Sequence, residues 1–123
     1  MFTLDTNIVI YFLKSDFKVA NFLRERILEN SRFNISAISE AELLSYPEIT
    51  QEEIVKIENV LRTTPIISVD SQIAQLSGYF KRNYRISLPD AIIAATSYLT
   101  NSTLITRNAK DFEKIKEIET QIL

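Results

Sequence analysis

The apolar residues of this sequence alternate between short continuous runs and longer stretches with helical spacing. The first run, Phe2 to Leu4, contains a β-branched residue and predicts a buried strand. Apolar residues on one face of a predicted helix follow it, at Ile8, Val9, Phe12 and Leu13. Asp5 lies between the two patterns, where the strand ends and the helix begins. In an α/β protein this is the usual place for a ligand site, although Asp5 or Thr6 would also be a suitable helix cap.

The same alternation continues along the chain and defines its architecture. Further strands are predicted at residues 32–36, 66–69 and 103–106, with a fifth, edge strand at 118–123. Helical stretches separate these strands and begin near polar residues that can cap them: Asp16, Ser39, Thr50, Asp70, Ser87 and Asn108. Strands joined through helices imply a parallel sheet with helices on both faces. The predicted fold is a three-layer α/β domain with about five short strands, spanning residues 1–123.

Two residue types are missing, and their absence removes several classes of chemistry. The chain has no Cys, which excludes disulfides and thiolate metal sites, and no His, which excludes Ser-His-Asp catalysis and His-ligated zinc. Any catalysis therefore has to use carboxylates, hydroxyls, amides, Lys or Arg. The absence of Cys also fits a reducing cytosol, so we expect a cytoplasmic protein.

The charge and hydropathy of the chain limit its partners. The formal net charge of −2 is not that of a generally basic nucleic-acid coat, so any nucleic-acid binding would have to be local. No apolar run is long enough to span a membrane, and a strand predicted from residue 2 leaves no room for a signal peptide. We therefore expect no membrane partner.

Acidic residues recur where predicted helices begin. Like Asp5 after the first strand, Glu42 follows the second strand and Asp111 follows the fourth. Asp90 opens the helix that leads into the fourth strand. The last three acids each lie three residues after a Ser or Asn, which is the spacing of a capping box. For each acid alone, capping or a solvated charge is the simpler interpretation.

Considered together, the acids indicate a metal site. Turns that follow parallel strands open on the same carboxyl edge of the sheet, so the four carboxylates should converge on one cleft. Two carboxylates about 4 Å apart repel by roughly 4 kcal/mol at an effective dielectric of about 20, unless protons or a cation compensate. Oxygen ligands without His or Cys select Mg²⁺ or Mn²⁺, which suits phosphodiester hydrolysis. Four polar residues could hold water or substrate beside the ion: Thr6, Asn7, Thr106 and Asn108.

The acids lie in four stretches: Leu4-Asp5-Thr6-Asn7, Ile38-Ser39-Glu40-Ala41-Glu42-Leu43-Leu44, Leu88-Pro89-Asp90-Ala91-Ile92-Ile93-Ala94-Ala95 and Leu104-Ile105-Thr106-Arg107-Asn108-Ala109-Lys110-Asp111-Phe112. In their order and spacing these stretches resemble the motifs of PIN-domain ribonucleases. The resemblance is closest to the VapC toxins of toxin–antitoxin pairs. Together the stretches and their spacing cover nearly the whole chain.

The resemblance implies a function and a set of site residues. It implies a PIN-like fold and a Mg²⁺- or Mn²⁺-dependent endoribonuclease that cuts structured RNA, forms a homodimer and is inhibited by a small antitoxin protein. By motif position Asp5, Glu42 and Asp90 match the family's metal-binding acids, and Asp111 matches a fourth, more variable one. Two polar residues match positions that line the same site, Asn7 and Thr106.

Basic and aromatic residues each allow two interpretations. Arg107 and the lysines near it could contact phosphates, or could form a solvated helix face, because acidic residues interleave with them. The five tyrosines could stack on RNA bases, although most fit apolar faces and are more typical of core or dimer contacts.

Two other functions are compatible with an α/β domain of this size. A signalling receiver domain would need an acidic pair after its first strand, a phosphoacceptor Asp after strand three and a Lys after strand five. Asp70 could serve as the acceptor, but Asp5 is followed by Thr6, and no Lys follows the fifth predicted strand. A PIN fold retained only as an RNA-binding module usually loses its acids, and here all four are present.

Overall fold

Five parallel strands form the centre of the computed structural model, which describes residues 1–123. The strand bounds are β1 Phe2–Leu4, β2 Phe33–Ser36, β3 Ile66–Ile67, β4 Thr103–Thr106 and β5 Glu119–Ile122. The strands lie in the order β3-β2-β1-β4-β5. The predicted parallel sheet is therefore confirmed, with the first strand of the chain at its centre.

Seven helices connect and cover the strands. They are α1 Thr6–Leu13, α2 Phe17–Leu28, α3 Ala37–Leu44, α4 Gln51–Thr63, α5 Ser71–Tyr84, α6 Leu88–Leu99 and α7 Ala109–Phe112. Five of the predicted caps accept a hydrogen bond from a backbone N–H of the first turn, namely Asp16, Thr50, Asp70, Ser87 and Asn108. Each satisfies a donor that the helix itself leaves without a partner. None of the helices combines the length and apolar character that a membrane span requires.

The helix after β2 begins earlier than the sequence pattern predicts. Its cap is Ser36, whose hydroxyl accepts a hydrogen bond from the Ile38 N–H at 3.3 Å, and Ala37 is its first residue. The predicted capping-box pairing of Ser39 with Glu42 is therefore wrong. Both residues lie inside α3 instead, where their side chains are available for contacts with other elements.

The two edge strands, β3 and β5, are the only strands of the sheet without a buried residue. Strand β3 ends at Ile67 rather than at Val69 as predicted, and the Val69 side chain is 39% exposed. Strand β5 pairs in parallel with β4 through Thr106 opposite Ile122, which confirms the predicted edge strand at the end of the chain.

Apolar cores lie on both faces of the sheet. Leu104 and Ile105 are neighbours in β4, and they join different clusters because successive strand residues face opposite sides. Leu104 packs with α5, α6 and α7, where Phe80 and Phe112 are fully buried. Ile105 packs with α1 to α4 around residues such as Ile8. This arrangement is the predicted three-layer architecture.

A buried polar cluster links the three central strands near their starts. Thr3 Oγ1 donates to Asn34 Oδ1 at 2.8 Å and lies 2.5 Å from Ser102 Oγ, just before β4. Thr3 and Asn34 are also partners in the β1–β2 register. Because these polar side chains satisfy one another, the cluster can specify the alignment of β1 with both neighbours without an unpaired group.

Candidate active site

Asp5 ends β1 and lies directly before α1, but its side chain does not cap that helix. The residue is only 5% exposed, and its Oδ2 accepts a hydrogen bond from Thr106 Oγ1 at 2.6 Å. Its backbone N–H donates to the Ile105 carbonyl, which joins the end of β1 to β4. The capping interpretation is therefore wrong for the Asp5 carboxylate, which faces the carboxyl edge of the sheet.

The surroundings of Asp5 disfavour its charged form. Burial raises the pKa of Asp5 from its usual 3.8 to about 6. The hydrogen bond from Thr106 opposes this increase in pKa, whereas the negative charges of Asp90 and Glu42 add to it. Three acidic side chains therefore lie near enough to influence one another at this edge of the sheet.

Glu42 reaches the same region from inside α3. Thr6, in the first turn of α1, donates its hydroxyl to Glu42 Oε1 at 2.7 Å, and its Oγ1 lies 2.8 Å from Ser39 Oγ. Thr6 and Ser39 are both buried. Sequence reasoning assigned Ser39 to a cap and missed this contact. The available signal was its helical spacing from the buried residue Leu43.

Asp90 lies in the first turn of α6. Its backbone N–H donates to Ser87 Oγ at 3.2 Å, so the predicted Ser87 cap is confirmed. Burial raises the pKa of the half-buried Asp90 carboxyl, the hydrogen bond with Ser87 lowers it, and the charges of Asp111 and Glu42 raise it. Asp90 is thus close enough to interact with acids from two other elements.

Asp111 forms a reciprocal pair with Asn108. Asn108 Oδ1 accepts from the Asp111 N–H at 3.3 Å, and Asn108 Nδ2 donates to Asp111 Oδ2 at 3.0 Å. The predicted Asn108 cap is therefore confirmed, but the capping box is not complete, because the Asp111 carboxylate accepts from the Asn108 side chain and not from its backbone N–H. Their loop is joined to Asp5 as well, because the Asn108 N–H donates to Thr106 Oγ1 at 2.9 Å. Lys114 Nζ lies 3.9 Å from Asp111 Oδ1, a partly exposed pair of little energetic value.

The remaining predicted residues lie at the margins of this group. Asn7 is exposed in the first turn of α1. Arg107 follows Thr106, but its guanidinium is bonded to Asp16, a residue that the sequence indicated only as a cap. Tyr11 and Tyr84 are partly buried and pack against the two apolar cores, whereas three tyrosines are exposed: Tyr46, Tyr79 and Tyr98. The core alternative is therefore wrong for these three, and the alternative that they make dimer contacts stays a prediction.

The acids share one region without forming a closed metal cage. No group of three or more acidic side chains lies in an arrangement that could hold a metal ion. The donor set nevertheless consists only of carboxylate, hydroxyl and amide oxygens, which are hard ligands. Mg²⁺ keeps several of its waters and is usually held through one or two carboxylates. The spaced carboxylates of Asp5, Glu42, Asp90 and Asp111 therefore fit a partly hydrated Mg²⁺ or Mn²⁺ better than a dehydrated ion.

Comparisons with known proteins agree with this fold along its whole length. The family model described as "PIN domain" matches residues 2–118. A protein named Ribonuclease VapC1 from Haemophilus influenzae strain R2866 is 29% identical over 129 aligned positions, which cover 98% of this chain and 96% of that protein.

Solved structures with the same fold include two toxin–antitoxin complexes. A chain of VapBC2 from Rickettsia felis, bound to a DNA fragment from their promoter, superimposes with a TM-score of 0.86 at 25% identity, covering 99% of this chain and 98% of that one. A toxin–antitoxin complex from Klebsiella pneumoniae contains a chain with a TM-score of 0.79 and 30% identity, and each chain covers 100% of the other.

Proposed function

Because this chain belongs to the PIN domain family, we propose that it is an endoribonuclease that hydrolyses RNA phosphodiester bonds with Mg²⁺ or Mn²⁺. The proposed site consists of Asp5, Glu42, Asp90 and Asp111. Thr6, Thr106 and Asn108 contact these acids, and exposed Asn7 lies in the first turn of α1 beside them in the chain. We also propose that the chain is the toxin of a VapBC-type pair, since chains of similar fold come from toxin–antitoxin complexes.

The buried carboxylate of Asp5 is the observation that carries this proposal. It contributes no helix cap, it has no cationic partner, and its pKa is raised to about 6. A carboxylate in such surroundings reduces the stability of the metal-free fold, which is typical of a functional site and not of a structural one. The neighbouring charges of Glu42 and Asp90 strengthen the argument, because a cation would relieve all three at once.

The residues around the acids keep them oriented. Thr106 holds one oxygen of Asp5 and Thr6 holds one oxygen of Glu42, so the second oxygen of each carboxylate has no side-chain hydrogen bond. These free oxygens, with Asp90, are the atoms that we assign to cation binding. The bound cation would supply a more acidic water and neutralise charge on the scissile phosphate. Since the carboxylates are fixed beforehand, little reorganisation is needed when RNA binds.

The order of the strands argues against the signalling alternative. Receiver domains have the strand order 2-1-3-4-5, in which the third strand lies beside the first. Here β3 is at the far edge of the sheet, separated from β1 by β2. Asp70 therefore follows an edge strand, and its carboxylate caps α5 by accepting from the Ile73 N–H at 2.9 Å.

Cleavage assays with and without metal test the ribonuclease proposal. Purified protein should cut RNA in Mg²⁺ or Mn²⁺ and stop in EDTA, and Asp5→Asn should be inactive under both conditions. Asp70→Asn is a matched control, because Asp70 also precedes a helix, but its carboxylate caps that helix and is not among the charges that raise the pKa of Asp5 or Asp90. Equal cutting in EDTA, or full activity of Asp5→Asn, would exclude this site.

A partner protein is the second part of the proposal. The anionic cleft attracts cations, so we propose that a small antitoxin restrains the enzyme by placing an Arg or Lys among the acids. We also propose that the toxin itself is a homodimer. Co-purification from the native operon should recover the partner, and light scattering should give the mass of two chains. Full activity in the presence of the neighbouring gene product would contradict the inhibitory role.

A further inference from the structure

One ion pair joins the loop after β4 to the far end of α1. Arg107 Nη1 and Nη2 donate to Asp16 Oδ2 and Oδ1 at 3.0 and 2.8 Å, which makes the pair bidentate. The same guanidinium lies over the Tyr11 ring, with its Cζ 4.3 Å from the ring centroid. Tyr11 and Asp16 are themselves joined, because the Asp16 N–H donates to the Tyr11 carbonyl at 2.9 Å.

These contacts occupy the guanidinium of Arg107. A bidentate pair with a carboxylate uses the same planar fork of donors that would bind a phosphate. The stacking contact with Tyr11 covers one of its faces. Both charged side chains are 27% exposed, so the pair is partly shielded from solvent. In this arrangement Arg107 does not present its fork to RNA.

The end of β4 and the loop after it are thereby attached on both sides of α1. Thr106, the last residue of β4, donates through Oγ1 to Asp5, which directly precedes the helix. Arg107, the next residue, contacts Tyr11 within the helix and Asp16 beyond its end. The Asn108 N–H bonds to Thr106 Oγ1, so movement of the loop would also disturb the hydroxyl that supports Asp5.

We propose that Arg107 is a positioning residue whose ion pair with Asp16 holds the loop after β4 against α1. Held there, the loop keeps Thr106 on the Asp5 carboxylate. Arg107 touches no reacting atom and acts only through these groups. The proposal rests on the ribonuclease function argued above, and it assigns Arg107 a role different from a contact with phosphate.

The variant Asp16→Asn separates the ion pair from the helix cap. Asn caps a helix about as well as Asp, so the hydrogen bond from the Val19 N–H can be kept. An amide, however, has one acceptor oxygen and a donor NH2 group in place of the second, so the side-by-side pair with both guanidinium nitrogens and its charge attraction are lost. Asp70→Asn makes the same change at the cap of α5, where no ion pair exists. Arg107→Lys keeps the positive charge but loses the planar fork.

Kinetics on a hairpin RNA labelled at both ends, in saturating Mn²⁺, distinguish the two roles. A positioning role predicts that Asp16→Asn lowers kcat about ten- to hundredfold, as small displacements in active sites do, with KM changed less than about twofold. The kcat of Arg107→Lys should lie between those of Asp16→Asn and the parent, and the kcat of Asp70→Asn should equal that of the parent. If Arg107 instead binds an RNA phosphate, Asp16→Asn should lower KM and leave kcat unchanged, because the variant would release the guanidinium to bind RNA. Unchanged kcat with a lower KM would therefore overturn the proposal.

Hydrogen exchange provides a readout that needs no cleavage. Asp16→Asn should accelerate exchange of the Asn108 amide about tenfold relative to Asp70→Asn. The Ile35 amide, which donates to the Pro65 carbonyl at 3.0 Å in the sheet, should be unaffected in both variants. Unchanged exchange at Asn108 would overturn the positioning role. If the parent cuts no RNA, the ribonuclease proposal fails, and the exchange rates still decide whether the ion pair holds the loop.

Discussion

Asp5 is buried at the carboxyl edge of the sheet, where its hydrogen-bond partner is a neutral hydroxyl and its charged neighbours are acids. The single hydrogen bond from Thr106 does not compensate for burial, because the pKa remains raised to about 6. The residue therefore weakens the metal-free protein at neutral pH. A site that is destabilised without its ligand can gain stability when that ligand binds.

The variant Asp5→Asn should stabilise the metal-free protein. Removing one buried charge should raise the free energy of unfolding by roughly 1 kcal/mol or more, which is about three to six degrees in Tm for a domain of this size. Added Mg²⁺ or Mn²⁺ should stabilise the parent and barely affect the variant. Melting curves with and without metal measure both effects. If the two proteins melt together and respond equally to metal, Asp5 has no role in a metal site.

The pH dependence of stability should follow the same carboxyl group. Its pKa in the folded protein, about 6, is above its usual 3.8, so protonation favours the folded state. The contribution of Asp5 to the free energy of unfolding should therefore become more favourable as the pH falls through 6, by about 1.4 kcal/mol between pH 7.5 and 5. Protonation of other acids weakens the fold at low pH. The quantity to measure is therefore the difference in the free energy of unfolding between the parent and Asp5→Asn, from urea unfolding in the presence of EDTA. That difference should shrink as the pH falls, and a constant difference would contradict the raised pKa.

The sequence could place Asp5 at the end of the first strand but could not identify its partner. The hydrogen bond from Thr106 spans 101 residues, and no local pattern connects two residues that far apart. Arg107 is a similar case. Its position beside Thr106 suggested a contact with RNA, whereas its pairing with Asp16 depends on how α2 packs beside the loop.

The side chains that cap the helices of this protein affect either its stability alone or both its stability and the proposed site. The Thr50 cap forms a full capping box with Glu53, and both of its hydrogen bonds are exposed. Ser87 forms only the first half of such a box, by accepting from the N–H three residues on, and that residue is Asp90. A helix cap therefore contributes only to stability in α4, whereas in α6 it also positions a carboxylate of the proposed site.

Truncation of these two caps should separate stability from activity. Thr50→Ala and Ser87→Ala should each cost about 1 kcal/mol in the free energy of unfolding, the usual value for a lost cap. Only Ser87→Ala should reduce kcat for RNA cleavage, because it loosens the turn that holds Asp90. Denaturant unfolding and cleavage rates of the two variants provide the comparison. If the two variants lose the same activity, the loss in each follows from reduced stability alone, and the Ser87 cap has no separate role in positioning Asp90.

Strands and caps were largely predictable because they depend on local spacing and on side-chain chemistry. The error in α3 has a local cause, since Ser36 and Ser39 are both acceptable caps and the sequence pattern cannot choose between them. The choice depends on where β2 ends, and with it on whether Glu42 lies at the start of the helix or inside it. The tyrosines could not be assigned for a similar reason, because tertiary packing places Tyr11 and Tyr84 against the cores and leaves Tyr46, Tyr79 and Tyr98 exposed.

At the scale of the whole molecule, the first strand occupies the centre of the sheet. Its neighbours come from distant parts of the chain, with β2 beginning at Phe33 and β4 at Thr103. The buried cluster of Thr3, Asn34 and Ser102 spans the same three segments. The carboxyl edge where the acids lie is therefore completed by chain segments that are far apart in sequence.

A fragment of residues 1–102 should neither fold cooperatively nor cut RNA. It lacks β4, so one edge of β1 and the apolar surface that Leu104 and Ile105 would cover remain exposed. Circular dichroism melting and a cleavage assay on the fragment measure both properties. A cooperative transition in the fragment would show that β1 and β2 suffice for the fold.

The central position of β1 also governs when the proposed nuclease becomes active during its own synthesis. Ribosomes add about 5–20 residues per second, so the 101 residues that separate Asp5 from Thr106 take roughly 5–20 s to synthesise. Asp5, Glu42 and Asp90 are all made before Thr106, the residue that supports the Asp5 carboxylate. The nascent chain therefore contains most of its site acids before the site is complete, and we expect cleavage only after β4 has been synthesised and has joined the sheet.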